Sequence, residues 1–372
     1  MAAALPSDSR LLIRVLKQPE LFSRQPVAVQ DLLLRQARRA SLLGRLEFVL
    51  RRQGLLEPLS PRVNNHLQSA RRLVEEDQRM LVWEVNRVQR ALWQSGLAIT
   101  LLKGGAYVFL DLPVAQGRHV ADLDLLMRQQ DFPLIEACMA RHGWLPAKLH
   151  PYDQRYYREW MHELPPLTHR HRLTELDIHH TILPPVSRLR PDPQLLLASA
   201  RDVPGHPNLK TLSPVDMVLH AAVHLFQDSD FDKGLRGLLD LDGLLDWGAE
   251  DPLFWTRLLP RAQTLGLIRP LYYALHFCRR WLDTVVPDDV LATIAVQPQV
   301  PGTAARMVMN QLVDRIMTPG DPDHLEWSSW FAWSFLYIRS HWLRMPPGML
   351  VVHLTRKGLR RWRFDVRNRR VV

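Results

Sequence analysis

The chain has 372 residues, 47% hydrophobic and 23% charged, which is ample for one large core or two smaller ones and argues against long disordered stretches. Its formal charge of +10 gathers at one end, where eight Lys/Arg between Arg356 and Arg370 face a single acid, Asp365. The two cysteines, Cys138 and Cys278, are too few for a disulfide framework or a zinc ribbon. The opening MAAALPSDSR lacks a basic leader followed by a long apolar run, and the stretch from Trp327 to Ile338 is too short to span a bilayer; a reducing, cytoplasmic protein is expected.

Residues 1–96 read as a helical part. Ser60-Pro61 is a helix start, with Ser as N-cap and Pro at the first helical position, and Leu81, Val85, Val88 and Leu92 recur at helical spacing. Gly96 ends that helix and Leu97–Leu102 suits a buried strand. A short helix is expected after Gly104-Gly105, then a loop from Leu112 to Ala121 and a strand from Asp122 to Met127. Phe132–His142 reads as a helix with Ile135, Cys138 and Met139 inward, stopped by Gly143, and a strand begins at Trp144. Glu163–His169 and Thr174–Ile182 look like two strands joined by Arg170-His171-Arg172. In the second, Leu176 and Ile178 take one face and Glu175, Asp177 and His179 the other.

Beyond Pro184-Pro185 the chain is expected to be helical throughout, with a start at Ser213-Pro214 and helical patterns over 265–290 and 326–342. The fold class is therefore α+β. A small mixed sheet over 97–185 is flanked by helical parts, 1–96 and 186–345, and followed by a basic tail, 346–372.

Two aspartates at i and i+2 on a strand, Asp122 and Asp124, point to one face. Their repulsion is relieved by cations between them, and Mg²⁺ prefers such oxygen ligands. A third carboxylate from a neighbouring strand completes a site for two ions; Asp177 is the first candidate and Glu175 the second. Asp240 and Asp242 share the spacing, but Leu235, Leu238, Leu241 and Leu245 place them on a helix, where residues two apart diverge by about 200°. Lys103-Gly104-Gly105, between a strand and a helix start, offers backbone amides to a phosphate, and Arg118 adds a second cation.

LLKGGAY, GRHVADLDLLM and ELDIHHTI together resemble the nucleotidyltransferase superfamily with the polymerase-β fold. The nearest likeness is to an uncharacterised group with an LKG motif, over about residues 30–260. The resemblance implies that Gly104 and Gly105 bind the triphosphate of an NTP and that Asp122, Asp124 and Asp177 bind metal. It also implies transfer of a nucleoside monophosphate, with loss of pyrophosphate, to an unidentified hydroxyl or phosphate acceptor. The alternative is a catalytically weak nucleotide-binding protein or an antitoxin-like partner-binding protein of the same fold. Three departures from the superfamily pattern stand out: a longer gap from Gly105 to Asp122, Gly instead of Ser at 105, and Lys103.

His220 and His224 have the helical spacing of two metal ligands, without the glutamate of a zinc protease helix. They are read either as solvated or hydrogen-bonded structural residues or as facing the catalytic unit, with His224 an auxiliary candidate. His179 either hydrogen-bonds a metal-bound water, a phosphate or Asp177, or packs at a strand end; His180 is given no role. The tryptophans are assigned by default to core packing. Trp327, Trp330, Trp333 and Trp342 lie near the basic tail, which could contact nucleic acid or anionic lipid.

Overall fold

The computed structural model describes residues 10–147, 150–172, 174–227, 231–320 and 327–346, together with Gly348 and Leu350. The basic segment 356–370 lies outside the described residues. Ser60 caps the helix Pro61–Leu92 by accepting from the Val63 amide at 3.4 Å, with Pro61 as its first residue. The helix buries Leu81, Val85, Val88 and Leu92, the stripe expected from their spacing. Gly96, at φ 66°, closes the following 3₁₀ turn in the left-handed region and sends the chain into the first strand.

Seven strands form one mixed sheet. They are β1 (Ile99–Leu101), β2 (Leu123–Leu126), β3 (Trp144–Pro146), β4 (Leu167–His169), β5 (Glu175–His179), β6 (Arg201–Asp202) and β7 (Leu209–Thr211), in the order β3-β4-β5-β2-β1-β7-β6. β2 runs antiparallel to β1 and parallel to β5, while β7 runs parallel to β1. The pairing of β4 with β5 is prolonged by a bridge between Glu163 and His179.

The expectation of helix throughout after Pro185 is corrected here. β7 carries Leu209 and Thr211, both buried, and pairs with β1. The sheet therefore draws on residues beyond 185. These strands have two and three residues. That is too short to show the alternation by which strands are recognised in sequence. β2 is also shorter than expected, so Asp122 stands just before it.

The helix Lys103–Phe109 begins at Lys103 itself, not after the glycines. Gly104 is buried in its first turn, where a Cβ would collide with the Arg118 guanidinium. A side chain there would have to displace that guanidinium.

The long link from there to β2 is fixed from several sides. Arg45 donates to the carbonyls of Pro113 (2.8 Å) and Gln116 (2.9 Å), and Gln78 donates to those of Ala115 (2.8 Å) and Arg118 (3.1 Å). Asp77 pairs with His119. The extra length between Gly105 and Asp122 is thus accommodated by the N-terminal helices.

The helices Pro214–Phe226, Gly234–Gly248 and Ile268–Leu282 pack together on the C-terminal side. One buried apolar cluster runs from Leu11 through the sheet to Leu336, so the helical parts and the sheet share a single core. The helix Trp327–Arg344 departs from the default reading of tryptophan as core. Ala332, Leu336, Ser340 and Leu343 face inward, whereas Trp327, Trp330, Phe331, Phe335, Ile338 and Trp342 are exposed. Among the described residues no helix is long and apolar enough to cross a membrane.

Candidate active site

The register of β2 against β5 sets Asp124 directly beside Asp177. In paired strands, residues opposite one another share a face, so the two carboxyls project together. Asp124 is only 4% exposed. A carboxylate so buried is stable only when paired. Its Oδ1 accepts from Lys103 Nζ at 3.0 Å and from His179 Nε2 at 2.9 Å. Burial alone would push this carboxyl up; the Lys103 ammonium and His179 outweigh it and hold Asp124 well below the usual carboxylate range.

Lys103 reaches Asp124 from a constrained backbone, at φ 46°, in the left-handed region that costs a non-glycine residue on the order of 1 kcal/mol. Two glycines follow it, yet the strain falls on the residue whose side chain makes the contact.

Asp177 has the opposite balance. Burial, then the charges of Glu163 and Asp124, push its carboxyl up to about 7. Among the described residues its buried Oδ1 has no hydrogen-bond partner. An orphaned buried carboxylate oxygen beside a second carboxylate fits a hard divalent cation, so the donor set here suits Mg²⁺. Asp122 is exposed, in the irregular segment leading into β2, and Glu175 is exposed at the start of β5.

His179 bonds Asp124, not Asp177. Burial pushes its ring down, but the hydrogen bond to Asp124 and the charges of Asp124 and Glu163 raise it overall. The helix Pro214–Phe226 sends His220 and His224 toward the same side. Burial, then the Lys103 charge, lower His220 to about 3 and His224 well below its ordinary value. Both are neutral residues in the wall behind the site, which replaces the reading of solvated histidines.

Arg118 lies against Gly104 but is paired with a carboxylate. Its guanidinium grips Asp240 through Nε at 2.9 and 3.2 Å and through Nη2 at 2.9 Å. It ties the β2 link to the helix Gly234–Gly248 and is committed to a carboxylate, not held open for a phosphate. Asp242, the other member of the helical pair, hydrogen-bonds Thr284 instead, so Asp240 and Asp242 diverge as their helical spacing requires.

Sequence reasoning missed His162 and Glu163. Glu163 Oε2 lies 3.4 Å from His179 Nδ1, and the His162 ring stacks on His179 with centroids 5.1 Å apart. Burial pushes the Glu163 carboxyl up and, with the His179 charge, pushes the His162 ring well down. The available signal was Glu163 at the outer end of a strand whose partner carries Asp177 and His179.

Against this geometry, the sequence matches the family of uncharacterised nucleotidyltransferases over residues 27–283. The chain belongs to that family. The match takes in Lys103, Asp122, Asp124, Glu163, Asp177, His220, His224 and Asp240 together, and it assigns the chain at the coarse level to the nucleotidyltransferases. No protein of curated function and no solved structure matches it.

Two outcomes follow from the electrostatics. Lys103→Met strands the Asp124 charge and is expected to lower unfolding free energy at neutral pH by ~2–4 kcal/mol. In denaturant titrations this loss should shrink when Asp124→Asn is already present; equal losses in both backgrounds would sink the pairing.

Asp177 binds its proton more tightly in the folded state than unfolded. Stability of the metal-free protein therefore falls as pH rises from the ordinary carboxylate range through about 7. Asp177→Asn removes that penalty and should raise the melting temperature at about pH 8 by roughly 2 °C or more, the gap closing in acid. Mg²⁺ should stabilise the wild type and not this variant.

Proposed function

We propose that this chain is a Mg²⁺-dependent nucleotidyltransferase that moves a nucleoside monophosphate from an NTP to a hydroxyl or phosphate acceptor and releases pyrophosphate. The observation that carries the reading is the in-register pair Asp124 and Asp177, one carboxylate held ionised and the other left with an unsatisfied buried oxygen. Asp124 and Asp177 would hold the metal, and Asp122, just before β2, would contribute a carboxylate toward a second ion. When bound, Mg²⁺ neutralises these carboxylates and stabilises charge on the phosphates and the departing pyrophosphate.

The protein groups divide the remaining work. Lys103 and His179 keep Asp124 ionised and fixed before substrate arrives. The amides of Lys103, Gly104 and Gly105 open a helix whose first internal bond is Ala106 N–H to Leu102 O, and they present their donors to the triphosphate. Asp177, poised near neutral pH, can take the proton of an acceptor hydroxyl. Arg118 is left out of the phosphate set by its bond to Asp240.

A weakly catalytic nucleotide-binding or partner-binding protein of the same fold would bind NTP and Mg²⁺ without forming product. The intact Asp124–Asp177 pair favours turnover. The test is transfer of label from NTPs to components of a cell extract: Asp122→Asn with Asp124→Asn is expected to abolish Mg²⁺-dependent labelling while the far-ultraviolet spectrum stays native. Labelling that persists in the double variant refutes the assignment.

The aromatic face of the helix Trp327–Arg344, together with the basic 356–370 segment, supports an anionic lipid surface as the partner of this end of the chain. Removing residues 356–372 should abolish salt-sensitive co-sedimentation with phosphatidylserine vesicles. Retention of an RNA strand but not of vesicles by the full chain would overturn the lipid reading.

A further inference from the structure

Beside the Asp124–Asp177 pair lies a second convergence of ligand atoms with a different chemistry. His162, Glu163 and His179 each bring one donor atom into a cluster whose members all lie within 4.8 Å of one another. The backbone enforces this meeting. Glu163 bridges His179 across antiparallel chains, and His180 N–H donates to the His162 carbonyl at 2.8 Å, so residues 162–164 run alongside the end of β5. The His162 ring stacks on that of His179 with 29° between their planes.

His179 Nε2 lies 2.9 Å from Asp124 Oδ1, and on the other side of the ring its Nδ1 lies 3.4 Å from Glu163 Oε2. The separation is close to the ~3.3 Å that two ligands span across a tetrahedral ion with bonds of about 2.0–2.1 Å. His162 Nδ1 is buried and, among the described residues, has no hydrogen-bond partner. His162 is the third member of the set. The Nε2 bond of His179 to a carboxylate is also the arrangement that fixes the tautomer and orientation of a metal-bound histidine.

We propose that His162 Nδ1, Glu163 Oε2 and His179 Nδ1 bind one divalent first-row transition-metal ion, of the Zn²⁺, Mn²⁺ or Co²⁺ class. Two imidazole nitrogens and one carboxylate favour such an ion over Mg²⁺, which prefers an all-oxygen shell. The ion also counters the crowding of Glu163, Asp177 and Asp124, three carboxyls that otherwise repel one another. The inference stands on these three residues and not on nucleotidyl transfer.

The test uses the full chain, stripped with a chelator and titrated with Co²⁺ in excess Mg²⁺ and without nucleotide. The readout is the visible d–d absorption of a low-coordinate nitrogen-containing site. One Co²⁺ per chain is expected. His162→Ala and the isosteric Glu163→Gln should each weaken uptake by about 10-fold or more. His66→Ala, on the surface of the helix Pro61–Leu92, should leave the spectrum unchanged. Melting curves of the stripped variants check that they fold, and Glu163→Gln decides the matter if His162→Ala does not.

An imidazolium–carboxylate pair without a metal predicts no d–d bands in the wild type, and that result overturns the proposal. So does uptake that Mg²⁺ abolishes or that Glu163→Gln leaves intact. A chain that binds Co²⁺ but transfers no label overturns the preceding reading and leaves this one standing; label transfer without Co²⁺ uptake does the reverse.

Discussion

A carboxylate inside a protein must be paired, and the burial of Asp124 organises everything around it. Removing such a charge from water without compensation costs several kcal/mol. Here Lys103 and His179 supply it from opposite directions, one from the first turn of the helix after β1 and one from the end of β5. Satisfying Asp124 therefore links β1, β2 and β5, the middle of the sheet. The left-handed backbone at Lys103 is tolerated because the ion pair and the surrounding packing outweigh the strain of about 1 kcal/mol.

The same requirement explains why the flanking helices are not accessories. Asp124 can hold its position only if β2 does, and the long link into β2 has little regular structure of its own. Arg45, Gln78 and Asp77 anchor that link from the N-terminal helices, and Asp240 anchors it through Arg118 from the C-terminal side. The fit is close at Gly104, where the space of a side chain is filled by the Arg118 guanidinium. A second clamp fixes the far edge of the site: Arg172 and Thr174, beside the β4–β5 turn, both bond Glu84 of the long helix. Such buried pairs add modestly to net stability and fix geometry, since breaking one strands a charge.

Around the central pair, neighbouring groups are driven in opposite electrostatic directions. Asp124 is kept ionised, Asp177 is poised near neutrality, and the histidines behind them are kept neutral by burial and by the Lys103 charge. Such divergence among close groups is found both in functional sites and in structural ion-pair networks, and it accompanies the proposed metal site here.

The sequence by itself determined a good deal. Periodicity located the long helix, the helix bearing His220 and the helix bearing Asp240, because each buries an apolar stripe that repeats over several turns. Alternation located β5 and put Asp177 and His179 on one face, because a strand's side chains alternate whatever it pairs with. Local rules could not show which residues meet across the fold. Asp124 and Asp177 are neighbours only through the β2–β5 register, and β7 joins the sheet only because β1 offers it an edge. Arg118 reads as a phosphate ligand from its position in the chain, yet tertiary packing hands it to Asp240, 122 residues away. Lys103 looks like part of a glycine turn and becomes the counter-ion of Asp124. His162 and Glu163 have no motif around them and gain meaning only where their chain folds back along β5. Spacing fixes what a segment can form, whereas the pairing of buried charges depends on contacts between segments, and those are decided when the core closes.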